Sequence, residues 1–347
     1  MSSDFLNIRR VILTFFFLCI THLPFLEAVL SQETIYLTWQ QNPSTTMTVQ
    51  WISYPKEKKS LVLYRPLQGD GKWIEVKGET FPFPHSSKYS IHRVELTQLR
   101  PNTEYAFIVP QDKNEYRFIT APATLEHEIR FVVGGDMYHD AISYLAKTSE
   151  KAAQFDPLFG VVGGDIAYAV KSSFFSFEYI DRWIEWIKIW HAKMVDSHGR
   201  MIPVIAAIGN HDLIGQFGQT PNQAAVFAAL FPMPGKTIYN VLDFNNYLTL
   251  VLLDSGHANP IEGKQTKWLK GILEKRRHIL HRFAVYHVPA YPSVRNTDNE
   301  YSSAIRRAWV PVFEQEGIQA AFEHHDHAYK RTHPLLKGRL FGCFCEV

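Results

Sequence analysis

A chain of 347 residues exceeds one average domain, and 46% hydrophobic with 14% aromatic content requires a large core. Lys plus Arg number 36 against 34 Asp plus Glu, a formal net charge of +2. That balance excludes a nucleic-acid scaffold or an anionic-membrane binder held by bulk charge, so ligand selectivity must be local.

In chain order, residues 9–20 come first, two arginines followed by Val-Ile-Leu-Thr-Phe-Phe-Phe-Leu-Cys-Ile. They have the charged start and short apolar core of an export signal. Thr21, His22 and Pro24 interrupt the run before the roughly 20 residues that span a bilayer. Residues 1–30 are therefore expected to be a signal peptide, cleaved between Ala28 and Gln32, that removes Cys19 and leaves a secreted or periplasmic chain with no membrane anchor. Cys343 and Cys345 remain, too few for a disulfide framework.

Residues 31–122 alternate short apolar runs with Pro, Gly and Asn punctuation, which predicts strands at 35–39, 47–52, 61–64, 91–96, 104–109 and 116–119 and an all-β sandwich. The segment 97–105, Thr-Gln-Leu-Arg-Pro-Asn-Thr-Glu-Tyr, with Trp51, resembles a fibronectin type III domain, in which Leu99 and Tyr105 pack at a strand corner. Residues 120–124 read as a linker. Over 123–347, strands alternate with helical stretches at 140–151, 174–193, 223–231, 264–277 and 302–316, the pattern of an α/β layered fold. Tyr179, Trp183, Trp186 and Trp190 recur at helical spacing and are assigned to the core.

Five apolar runs in this second part end in metal-competent side chains. Phe-Val-Val-Gly-Gly-Asp at 131–136 and Val-Val-Gly-Gly-Asp-Ile-Ala-Tyr at 161–168 read as strands whose glycines turn the backbone and deliver Asp136 and Asp165 to one sheet edge. Ile-Gly-Asn-His-Asp at 208–212, Ala-Val-Tyr-His at 284–287 and Glu-His-His-Asp-His-Ala-Tyr-Lys-Arg at 323–331 complete the set. Paired carboxylates with imidazoles at strand ends suit cations.

The five blocks, in this order from about residue 131 to 331, resemble the purple acid phosphatases within the calcineurin-like metallophosphoesterases. The resemblance implies a layered metallophosphoesterase domain of two packed sheets flanked by helices, preceded by the fibronectin-like sandwich. It implies that Asp165 bridges two metals, with Asp136, Tyr168 and His327 at the first and Asn210, His287 and His325 at the second. The cofactors implied are Fe(III), favoured by the Tyr168 phenolate, and a second divalent metal, Fe, Zn or Mn.

Small phosphate monoesters are the implied substrates, hydrolysed at acidic pH by attack of a metal-bound hydroxide. His211 would stabilise the phosphoryl group or protonate the leaving alcohol, and Asp212 would orient His211. The alternatives are a phosphodiesterase or nucleotide hydrolase on the same site, and a non-catalytic secreted binding protein. Register against the family places His325 and His327 one residue apart, both projecting to one side of an extended segment.

Departures from the pattern carry expectations of their own. His324 replaces a glycine and is a candidate substrate contact, and Tyr138, also at a glycine position, is expected to narrow the first metal's entrance or, with His139, add a donor. Arg295 is a candidate phosphate clamp. Family members continue through further strands where this chain reaches Val347, so the domain is expected to be truncated at its carboxyl end.

Overall fold

The computed structural model describes residue 30 and residues 33–340, apart from positions 58, 70, 113, 140, 175, 176 and 236. The apolar run at 9–20 expected to be a signal core, with Cys19, and Cys343 and Cys345 lie outside the described residues.

The amino-terminal part is a sandwich of two four-stranded antiparallel sheets. One sheet orders β1 (Tyr36–Thr38), β2 (Met47–Ser53), β6 (Ser90–Leu96) and β5 (Glu79–Pro82); the other orders β4 (Ile74–Lys77), β3 (Leu61–Pro66), β7 (Glu104–Ile108) and β8 (Tyr116–Ile119). Trp51 and Tyr105 are buried, and the Tyr105 hydroxyl accepts the Arg100 N–H at 2.8 Å, which closes the corner around buried Leu99. β4 and β5 were not anticipated; Trp73 and Ile74 are exposed, and these mostly exposed edge strands lack a clean alternation of buried residues.

The second part packs two sheets. In the first, β9 (Phe131–Gly134), β10 (Phe159–Gly163) and β11 (Val204–Ala207) run parallel in the order β11-β10-β9, so their carboxyl ends share one edge. In the second, β13 (Leu248–Leu252), β14 (His281–Val285) and β15 (Ala320–Phe322) are parallel, with β12 (Asn240–Phe244) antiparallel at the edge. Leu250 and Leu252 of β13 share a core with Val161 of β10 and Ile205 of β11. A hairpin, β16 (Leu335–Leu336) with β17 (Arg339–Leu340), follows.

Helices α1 (Ile142–Ala153) and α2 (Ile180–Lys193) cover the first sheet, α3 (Ala225–Leu230) abuts the sandwich, and α4 (Lys264–Glu274), α5 (Glu300–Ala308) and α6 (Val310–Glu316) cover the second. Between α1 and the β9–β10 surface lies a mostly apolar cavity of about 330 Å³ lined by Val132, Val162, Tyr144 and Trp190 and reaching Asp136 and His139.

Two helix expectations change. Among the described residues from 174 onward, none is helical before Ile180: Phe174 is 95% exposed, and the Tyr179 N–H donates to the Ala169 carbonyl at 2.8 Å instead of entering a helix. The stretch from 302 divides at Trp309, because Pro311 has no N–H to give the carbonyl four residues back.

Candidate metal centre

The carboxyl ends of β9, β10 and β11 and the segments after β14 and β15 supply every candidate ligand. Asp136 follows β9, Asp165 and Tyr168 follow β10, Asn210 follows β11, His287 follows β14, and His325 and His327 follow β15. The loops are tied across the edge, with the Asp136 N–H on the Gly164 carbonyl at 3.0 Å and the Met137 N–H on the Asp165 carbonyl at 3.2 Å.

The ligands fall into two clusters. In one, the Tyr168 hydroxyl lies 3.1 Å from Asp136 Oδ1 and 2.8 Å from His327 Nε2, and His327 Nε2 is 3.1 Å from Asp136 Oδ1. In the other, His287 Nε2 lies 3.1 Å from Asn210 Oδ1, 3.2 Å from Asp165 Oδ2 and 3.0 Å from His325 Nδ1. Ligand atoms of Asp165, His287 and His325 all fall within 4.8 Å of one another.

The second cluster shows what these atoms are arranged to hold. The other His287 nitrogen, Nδ1, faces the Gly163 carbonyl at 3.0 Å, so it must be the donor, leaving Nε2 as a lone pair in the neutral ring. That lone pair faces a carboxylate oxygen, an amide oxygen and a second imidazole. Electron pairs aimed at one another in a buried site fit a cation. Without one, burial disfavours a charged His287, yet Asp165 overrides it and pushes the imidazole up to about 9. The Asp165 carboxyl goes the other way: burial opposes its charge, but His287 and His211 hold it well below the carboxylate range. In the first cluster, burial and then the charges of Asp165 and Asp136 push the Tyr168 phenol far up, the direction a bound cation opposes.

Backbone strain accompanies the ligands. Asp136, Asp165, Tyr168, His325 and His327 have φ of 54°, 51°, 49°, 68° and 50°. His325 and His327 therefore do not lie on an extended segment projecting to one side; two left-handed residues flank Asp326 and send the imidazoles to different clusters.

His211 sits beside both clusters. Its ring stacks on Tyr168 with centroids 4.4 Å apart, and Nε2 is 4.0 Å from Asp165 Oδ2. The Nδ1 side is held by the Val170 carbonyl and by the Gln216 side chain at 3.2 Å. Asp212 does not orient it. Its carboxylate accepts the N–H groups of Asp165, Ile166 and Gly209 at 2.8, 2.9 and 2.9 Å, and so fixes the turn that carries Asp165.

The proposed substrate contacts change as well. Arg295 donates to the His325 carbonyl at 3.3 and 2.9 Å and lies 3.7 Å from Asp326, so it braces the histidine turn rather than clamping an anion. His324 packs behind the site: a Cβ added to Gly163 would come within 1.8 Å of its ring and one on Gly135 within 2.6 Å, and its Nε2 is buried without a hydrogen-bond partner among the described residues. Tyr138 is buried and donates to Glu185, so it leaves the entrance, where exposed His139 lies 4.8 Å from the His327 ring.

Several neighbours were missed. Gln216 reaches His211, and His257 packs against the His287 ring at 5.6 Å. Glu323 accepts Tyr286 Oη and the Ala290 N–H at 2.6 and 2.8 Å, fixing the segment around His287. Of these, Glu323 opens the last histidine block directly after β15 and His257 follows β13, whereas nothing in the sequence marks Gln216.

Residues 32–122 match the family model described as purple acid phosphatase, N-terminal domain. Among curated relatives, an uncharacterized protein of Mycobacterium tuberculosis is 22% identical over 353 residues, covering 87% of this chain and 62% of that protein. Purple acid phosphatase 21 of Arabidopsis thaliana is 24% identical over 281 residues, covering 76% of this chain and 58% of that protein. The chain thus spans about three fifths of the length of these relatives. A solved purple acid phosphatase from yellow lupin (Lupinus luteus) seeds superposes with a TM-score of 0.64 over 88% of this chain and 60% of that one, at 16% identity, a likeness of fold.

Proposed function

We propose that the chain belongs to the purple acid phosphatase family, as the match over residues 32–122 and the likeness to plant members support, and that it is an exported acid phosphatase with two metal ions that hydrolyses small phosphate monoesters. The observation that carries this reading is the division of seven ligands into two clusters of lone pairs, one with a phenol and one with two imidazoles and an amide oxygen. The phenol suits Fe(III) in the first cluster, and the second suits Fe, Zn or Mn. When bound, the pair supplies Lewis acidity, an activated water and neutralisation of the charge that develops on the phosphoryl group.

The chain's own residues then have distinct tasks. Asp165, buried with Oδ2 3.2 Å from His287 Nε2 and its carbonyl tied to the Met137 N–H beside Asp136, is assigned as the shared carboxylate. His211 keeps the Val170 carbonyl on Nδ1 and turns Nε2 toward the clusters, where it can stabilise phosphoryl oxygens or hold a proton for the leaving alkoxide. Asp212 holds the Asp165 turn. Export rests on residues 9–20.

Hydrolysis assays with an aryl phosphate monoester and the matching diester, with and without chelation, test the activity. The reading predicts metal-dependent monoester turnover below neutral pH, and a His211→Ala loss of about 10²-fold or more, largest for poor leaving groups. Preferential diester turnover would assign the site to diesters instead; metal binding without either activity would make the chain a binding protein.

A further inference from the structure

We propose that Arg182 is a positioning residue that locks the loop carrying Asp136 to the loop carrying Tyr168, and that Tyr138 and Glu185 hold its guanidinium in place. The inference rests on the two-metal reading and deepens it by naming what keeps the first metal's ligands together.

Arg182 lies in the first turn of α2, whose Trp183, Trp186 and Trp190 anchor the helix in the core. From there its Nε donates to the Ala167 carbonyl at 2.7 Å, one residue before Tyr168, and its Nη2 donates to the Tyr138 carbonyl, two residues after Asp136. The guanidinium also stacks on the Tyr138 ring, 3.9 Å from the centroid. Tyr138 is 7% exposed, and its hydroxyl donates to Glu185 Oε2 at 2.5 Å. Arg182 and Glu185, three apart on one helix face, thus grip opposite ends of the same tyrosine.

Geometry makes this a brace rather than incidental packing. Asp136 and Tyr168 both sit in the left-handed region, a strained conformation that persists only where its surroundings over-determine it. One planar guanidinium fixes a carbonyl in each of the two loops, which an ammonium on a flexible stem does not reproduce. The second cluster is held differently, by the Gly163 carbonyl on His287, by Arg295 on the His325 carbonyl and by Asp212, whose carboxylate fixes the turn that carries Asp165 independently of Arg182. Loss of Arg182 should therefore act selectively on the first cluster.

The experiment loads purified full-length wild type, Arg182→Met, Arg182→Lys and Tyr138→Phe with Fe(III) and Zn²⁺, then measures metal content and affinity by chelator competition, with near-UV circular dichroism as the record of folding. The expected result is about two ions in wild type and, in Arg182→Met, a first ion bound roughly 10–100-fold more weakly. The second ion and the near-UV spectrum should be unchanged, Arg182→Lys intermediate, and Tyr138→Phe weakened in the same direction. Two ions at unchanged affinity in Arg182→Met, or equal loss of both in a folded variant, would overturn the proposal alone. Should Arg182→Met fail to fold, unchanged affinities in both Arg182→Lys and Tyr138→Phe would overturn it. A wild type that binds no metal would overturn the two-metal reading itself, and the brace with it.

Discussion

At the scale of single residues, the ligands themselves make the turns that glycines were expected to make. Gly164 does adopt a left-handed φ of 96°, but Gly134, Gly135 and Gly163 do not. Gly135 and Gly163 are small because the His324 ring lies against them, and Gly209 because Asp165 lies 2.3 Å from where its Cβ would be. The motifs made legible which side chains gather at this sheet edge; the reason for the glycines was not, since close approach between distant segments leaves no local signature. Asp212 was misread for the same cause: adjacency to His211 suggested a partner, whereas the three N–H donors it serves are assembled by the fold. Replacing Asp212 by Asn sets an amide NH₂ or a lost acceptor against those donors. The expected outcome is a loss of about 1–3 kcal/mol in denaturant stability together with weaker metal binding. An unchanged stability with only an altered pH–rate profile would restore Asp212 to His211.

At the scale of elements, α2 is the link between core and site, and the segment before it holds a buried carboxyl. The Trp183, Trp186 and Trp190 stripe was legible, but the late start at Ile180 was not, because it depends on the hydrogen bond from Tyr179 to Ala169. Glu178 is 7% exposed, has neither oxygen hydrogen-bonded among the described residues, and lies 3.7 Å from His85. Burial, then the charge of Asp212, pushes its carboxyl from 4.5 up to about 8. Because the folded chain binds this proton more tightly than the unfolded chain, the contribution is full below about 4.5 and is lost as pH rises through about 8. Glu178→Gln should match wild type in thermal stability near pH 5 and exceed it near pH 8.5, by up to about 3–5 kcal/mol. Parallel pH profiles for the two proteins would contradict that assignment.

At the scale of the whole molecule, the sandwich and the layered domain share a core. Trp39 of the first part meets Phe159 and Phe244 of the second edge-on, at 6.1 and 5.7 Å. The carboxyl end of α3, whose carbonyls have no partners within the helix, is capped from the sandwich: Tyr36 Oη and Gln50 Nε2 donate to the Leu230 carbonyl at 2.7 and 3.0 Å, and Arg93 Nη2 to the Ala229 carbonyl at 2.7 Å. Alternating patterns made two units legible, but nothing local in sequence marks residues more than a hundred positions apart as partners. Both units should unfold in one thermal transition, and Arg93→Ala should lower its midpoint by removing about 1–3 kcal/mol. Two separated transitions in calorimetry of the wild type would contradict the shared core.

The central claim is that two metals bind and that Tyr168 ligates one of them. The most direct test is metal analysis and a visible spectrum of the purified chain loaded with iron, beside Tyr168→Phe. The account predicts about two metals per chain and a broad visible band that disappears in Tyr168→Phe while His287 and His325 retain the second ion. A metal-free chain, or a band that survives the loss of the phenol, would contradict it.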